Sequence, residues 1–169
     1  MQVSQAIEER ISCRAFSSKR VSLKLMRTIL EKAARAPSGG NLQPWHLFAI
    51  TGNKLKQLLT EVTQELISFP NGHPTEYAVY PRDLAEPYRG RRFKCGEDLY
   101  SLLNISREEK EKRKIQFAKN FKLFEAPAAI FVFIDRNMGP PQWSDVGMYL
   151  QNVFLLSKEY GLDTCAQES

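Results

Sequence analysis

Ala36-Pro37-Ser38-Gly39-Gly40-Asn41-Leu42-Gln43-Pro44-Trp45 joins a helical pattern before it to a strand pattern after it. On its N-terminal side, residues 22–36 place Leu25, Met26, Ile29, Leu30, Ala33 and Ala34 at helical spacing behind Ser22, which has the hydroxyl of an N-cap. Pro37 ends that helix, because it has no N–H and its ring clashes with the preceding turn. The two glycines then let backbone amides come close to a flat or anionic ligand. Asn41 offers both a donor and an acceptor to a heteroaromatic edge. A plain helix end and turn, with Trp45 serving as core, accounts for the same glycines when they are taken alone.

Outward from this stretch, residues 46–51 (HLFAIT) read as a short strand, and Asn53 opens a helix whose Leu55, Leu58, Leu59, Val62 and Leu66 form one stripe. From Phe69 to Pro87 four prolines and Asn71-Gly72 predict an irregular surface segment. Helices are predicted over about 94–103 and 107–122, the second opened by the capping box Ser106-x-x-Glu109. Residues 128–134 (AAIFVFI) read as a buried strand, and Gly139-Pro140-Pro141 as a turn. The helix expected over 143–160 has almost no polar face, so it should be covered on all sides, with Gly161 ending it and a strand starting at Thr164. A further short helix is expected over 3–11. Helices and strands mix without the regular alternation of a doubly wound parallel sheet, so the class is α+β, in one domain over 1–169.

A chain of 169 residues can build a sizeable core without disulfides or structural metal. Its longest apolar run, 126–134, has nine residues and is interrupted by Pro127, against the roughly 20 that a bilayer crossing needs. No membrane partner is expected. The N-terminus lacks the basic and apolar regions of a secretory signal, and Cys13, Cys95 and Cys165 are odd in number with no C-x-x-C, which together predict a cytoplasmic protein. No metal site is expected, since His46 and His73 have no ligand spacing to those cysteines.

The charge is uneven. Residues 82–122 hold 12 Lys plus Arg and seven Asp plus Glu, so this segment carries the whole net charge of +5. Arg89, Arg91, Arg92 and Lys94 interleaved with Tyr88 and Phe93 could face nucleic acid, but no nucleic-acid motif accompanies them. A solvated helix face or a basic approach to a phosphorylated small molecule fits better, and no nucleic-acid partner is expected.

The common catalytic motifs are absent: no G-x-G-x-x-G, Walker loop, G-x-S-x-G or H-E-x-x-H occurs. What stands out is Arg10-Ile11-Ser12-Cys13-Arg14. On extended backbone, positions i, i+2 and i+4 point to one side, so two guanidiniums and a hydroxyl converge there. Such a set suits a phosphorylated ligand; two surface arginines around a capping serine would look the same in isolation. Cys13 reads as packing.

R-x-S-x-R-x-F at 10–16 followed by APSGGNLQPW at 36–45 closely resembles the nitroreductase family of FMN-dependent, NAD(P)H-using oxidoreductases. The likeness continues through 86–100, 135–153 and 161–168, nearly the whole chain. The resemblance implies a nitroreductase-like α+β fold, a central mostly antiparallel sheet flanked by helices, and an intertwined homodimer with flavins at the subunit interface. It implies that Arg10 and Ser12 contact the FMN phosphate and ribityl chain and that Arg14 lies near flavin N1 and the C2 carbonyl. It further implies that Pro37, Ser38, Gly39 and Asn41 reach the flavin of the other subunit, that Gln167 and Glu168, with Ser169, pass the N5 edge, and that the apolar helix 143–160 lies at the dimer core. The activity so implied is ping-pong hydride transfer from NADH or NADPH through flavin N5 to a nitroaromatic, quinone or similar small-molecule acceptor. No side chain need act as acid or base in it. By the same resemblance, family members continue beyond residue 169, so a C-terminally truncated member is expected; the alternative is a non-catalytic remnant that binds flavin or a partner.

Overall fold

The computed structural model describes residues 1–70 and 72–167. Asn71, Glu168 and Ser169 lie outside the described residues, and with them part of the expected Asn71-Gly72 turn and one candidate site position. The described chain divides into two compact units, residues 1–59 with 123–166, and residues 60–122 with Gln167.

The first unit holds α1 (Val3–Glu9), α2 (Leu23–Ala33), β1 (His46–Thr51), the start of α3 (Gly52–Ser68), β2 (Ala128–Phe133) and α6 (Pro140–Glu159). β1 and β2 pair antiparallel, from His46 opposite Phe133 to Thr51 opposite Ala128. Alternation turns Leu47 and Ile130 toward the core, where they pack with Ile29, Ala33, Ala36, Tyr149 and Val153. The ring of Tyr149 is fully buried; removing a side chain of that size from water stabilises the fold by about 1.5–3 kcal/mol. Among the described residues the chain adopts the expected α+β class, with six helices and this small antiparallel sheet. The strand expected from Thr164 is a single parallel bridge to Ser12.

Several boundaries differ from the sequence reading, each for a physical reason. Helix α2 stops at Ala33, not at residue 36. Ala33 is the residue four before Pro37, whose ring would clash with that carbonyl in a continuing helix. The freed Ala33 carbonyl accepts instead from the Ala36 N–H at 2.9 Å and the Asn152 amide at 3.2 Å. Helix α3 begins at Gly52, with Asn53 inside its first turn.

Helix α6 starts three residues before the expected 143, with Pro140 in its first turn, where a missing N–H costs nothing. Within the single chain it is covered on one side only. Its buried row is Asp145, Tyr149, Val153 and Ser157, spaced by four, whereas Trp143 is 48% and Met148 39% exposed. A helix has several faces, and within this unit α6 packs chiefly against α2 and α1. Gly161 ends α6 as expected. At φ 70° it takes the left-handed conformation after the last turn, its N–H bonding Lys158 O at 3.0 Å and the Leu162 N–H bonding Ser157 O at 2.8 Å.

The second unit contains the rest of α3, the irregular segment after it, α4 (Tyr88–Leu102) and α5 (Lys110–Ala118). Helix α4 begins six residues before the expected start, because it buries no residue and so has no apolar period to mark its beginning. Ser106 does not cap α5. Its N–H donates to Glu109 Oε2 at 2.8 Å, half of the expected box, and the helix starts after Glu109. Arg113 ties the two helices, with Nη1 2.9 Å from Glu97 Oε1 and its guanidinium 4.1 Å from the centre of the Tyr100 ring. That hydrogen bond holds the Glu97 carboxyl below the usual range. After α5 a tight 3-10 segment (Lys119–Glu125) replaces the predicted helical continuation, with Leu123, Phe124 and Glu125 all at positive φ.

Candidate cofactor site

Two segments of the first unit hold most of the candidate residues. Arg10 closes α1, its N–H still bonded to Ala6 O at 3.1 Å while its own backbone is already extended (φ −69°, ψ 119°). The extension continues into Ser12, which pairs in parallel with Thr164, and the Cys13 N–H donates to Thr164 O at 2.9 Å. Thr164 is delivered there by the turn that ends α6, which the Lys158–Asp163 ion pair at 2.9 Å reinforces. Asp163 in turn holds the Lys158 ammonium above its ordinary value.

The side chains of this segment are available. Ser12 and Arg14 are exposed and Arg10 is half-buried. Arg14 Nη1 makes a long 3.4 Å contact to Ser12 O. Among the described residues neither Arg10 nor Arg14 is in an ion pair. Two unneutralised guanidiniums beside a hydroxyl, on extended backbone, form a donor set that fits a phosphate monoester.

The second segment, residues 36–45, is built differently. Gly39–Asn41 form a tight 3-10 turn in which Gly40 (φ 58°) and Asn41 (φ 56°) are left-handed, and Gln43 (φ 50°) follows. A side chain at Gly40 would meet open space but not an easy backbone, so conformation is what requires glycine there. Hydrogen bonds hold the strained turn: Gln43 N–H to Ser38 Oγ at 2.9 Å, Gln43 Nε2 to Asn41 Oδ1 at 2.9 Å, and Gly39 N–H to Asp145 Oδ2 at 3.2 Å. Pro44 is buried, and the Trp45 ring stacks on Tyr149 at 4.7 Å between centroids and 23° between planes. Tyr149 donates to Leu30 O at 3.2 Å, and burial pushes its phenol up to about 12.

Pro37, Gly39 and Asn41 are exposed and Ser38 half-buried, so the outer edge of the turn faces solvent while its inner polar groups are engaged. The Gly39 amide, expected to be open to a ligand, is taken by Asp145. The 10–14 and 36–45 segments share no hydrogen bond or ion pair among the described residues. Gln167, in the second unit, bonds Asn120 Oδ1 at 3.3 Å.

Asp145 is the residue that sequence reading missed. It is 6% exposed and anchors the turn from α6. One signal was present: it is the single charged residue between Trp143 and Ser157, on the same row as Tyr149 and Val153. Two surface recesses lie apart from these segments. One, of about 290 Å³, is flanked by Val3, Ala6 and Leu155, and the other, of about 280 Å³, by Val21, Asn53 and Pro127.

The profile of the Nitroreductase family matches residues 7–169. Nitrobenzene nitroreductase of Ectopseudomonas oleovorans is 33% identical over 165 residues, covering 98% of this chain and 73% of that protein. The 4-nitrobenzoate reductase of Pseudomonas putida is 36% identical over 163 residues, covering 96% and 70%. Among solved structures, the FMN and NADPH-dependent nitroreductase NfnB of Sphingopyxis sp. strain HMH superposes with a TM-score of 0.95 at 44% identity, covering 99% of this chain and 75% of that one. The motifs at 10–16 and 36–45, the α+β architecture and these matches along nearly the whole chain agree, and the protein belongs to the nitroreductase family.

Proposed function

We propose that this chain is an FMN-dependent oxidoreductase that passes two electrons from NADH or NADPH to a nitroaromatic or quinone acceptor, acting as a homodimer. The observation that carries the reading is the Arg10, Ser12 and Arg14 set, cationic and not ion-paired, in a member of the nitroreductase family. Arg10 and Ser12 would hold the phosphate and ribityl chain of FMN. Arg14 would supply a positive charge to the pyrimidine edge of the flavin, which favours its reduced, more negative form.

FMN, when bound, supplies the electron relay that none of the chain's own side chains can supply. The rest is positioning. Pro37, Ser38, Gly39 and Asn41 lie on the exposed edge of a turn stiffened by Asp145, the edge that would meet the cofactor of the partner subunit. A donor and an acceptor that used one face of it in turn would make turnover ping-pong. The exposed Trp143 and Met148 on α6 give the second subunit an apolar surface to cover.

The test is spectroscopic. FMN-loaded protein should lose its visible absorbance under anaerobic NADPH and regain it on addition of nitrobenzene, with parallel initial-rate lines when both substrates are varied. Protein that takes up no FMN, or that bleaches but does not recover, would remove the enzyme reading.

A further inference from the structure

We propose that Cys13 and Cys165 are a dithiol pair that closes reversibly to an intramolecular disulfide on meeting a low-molecular-weight disulfide of the glutathione class. The register places them together. Ser12 and Thr164 are bridge partners on parallel backbones, and the Cys13 N–H bonds Thr164 O at 2.9 Å. The bridge is isolated, and one residue beyond it in the same register come Cys13 and Cys165, which as opposite residues of a parallel pair would share the face away from Ser12 and Thr164. Paired strands lie about 4.8 Å apart, inside the range of about 4.4–6.8 Å that disulfides span between Cα atoms.

The surroundings suit exchange. Both thiols are half-buried and free in this structure, whereas Cys95 is exposed on α4. Cys13 Sγ donates to Ala15 O at 3.1 Å and Cys165 Sγ to Ala166 O at 3.7 Å. Burial pushes the Cys165 thiol up, Arg14 pulls it back down, and charge on Cys13 pushes it up again. The Cys165 thiol therefore responds to charge on Cys13, and Arg14 is the cation that favours its thiolate.

The chemistry balances through glutathione. One protein thiolate attacks the glutathione disulfide, whose S–S bond breaks to release one glutathione thiolate, which takes up a proton. The second protein thiol gives up its proton and attacks the mixed disulfide, displacing the second glutathione. Two electrons pass from the protein to the oxidant, and excess thiol reverses both steps. The bond would fasten the segment that carries Arg10, Ser12 and Arg14 to the turn after α6. It does not depend on those residues binding FMN.

The experiment uses the full chain with the exposed thiol removed. Cys95→Ser protein, which keeps two of the three cysteines, is incubated with oxidised glutathione and then unfolded in acid. Free thiols are counted with Ellman's reagent and peptides mapped without reduction. The expected result is a fall from two thiols to none, with one cross-linked peptide containing Cys13 and Cys165, lighter by two hydrogens and carrying no glutathione. In Cys13→Ser and Cys165→Ser backgrounds the remaining thiol should instead carry glutathione. Two persisting thiols, separate glutathione adducts on both cysteines, or a cross-link between two chains on a non-reducing gel would each overturn the proposal.

Discussion

The turn at 36–45 and the segment at 10–14 lie in one unit and use their polar groups in opposite ways. In the turn, Gly39 N–H, Gln43 N–H, Ser38 Oγ and Asn41 Oδ1 are all engaged by protein partners, and Tyr149 braces it from below through Trp45. In the segment, backbone pairing with Thr164 fixes the chain, while the Arg10 and Arg14 guanidiniums stay outside any ion pair among the described residues. The first region contributes shape and the second contributes charge. Damage to the turn should therefore show as lost stability, and damage to the segment as lost affinity for an anion.

The largest effect is expected for Tyr149→Ala, which empties a fully buried ring site and removes both the Trp45 stack and the bond to Leu30 O. It should cost about 3–5 kcal/mol in urea unfolding. If it costs less than 1 kcal/mol, the turn is not braced in this way.

The buried phenol gives a pH signature. Its folded value is raised to about 12 from 10, so below pH 10 it is neutral in both states and its contribution is intact. As pH rises from 10 toward 12 the unfolded chain loses a proton that the folded one keeps, and stability falls, by up to about 2–3 kcal/mol for a shift of this size. Wild-type protein should lose more stability over that window than Tyr149→Phe, whose matched denaturation curves remove the background from other groups.

Asp145→Ala should follow, at about 1–3 kcal/mol, because it leaves the Gly39 N–H without its partner. Hydrogen exchange at the Gly39 amide should quicken, while exchange at Cys13 is unchanged. Exchange that quickens equally at both would merge the two regions into one.

The smallest effect on folding is expected for Arg10→Ala, which should stay within about 0.5 kcal/mol of wild type. FMN affinity, read by fluorescence quenching, should nevertheless fall roughly 10- to 100-fold through loss of charge-assisted hydrogen bonds. Equal affinity in the two proteins would break the assignment of charge to this segment.

Much of this was legible in the residues. Ser22 caps α2 through its hydroxyl, Gly161 ends α6, and HLFAIT is a strand over the six positions read for it. These signals are local: a hydroxyl, a left-handed glycine or a run of alternating residues acts on its own neighbours. The start of α4 was hidden because that helix buries none of its residues and so shows no apolar period. The apolar face of α6 is exposed in the single chain for a related reason, since such a face states that something can cover it and not which chain does.

Sequence alone determined the α+β class, most of the elements and the two motifs that mark the nitroreductase family. Tertiary structure decided which polar groups of those motifs are committed and which are available. Asp145 meets Gly39 across 106 residues of chain, and Thr164 meets Ser12 from the far side of α6. Contacts of that span leave no periodic trace in either partner's neighbourhood, because they depend on where whole elements pack. That packing turns a glycine-rich turn into a stiff edge, leaves Arg10 and Arg14 outside any ion pair among the described residues, and pairs Ser12 with Thr164, one residue before Cys13 and Cys165.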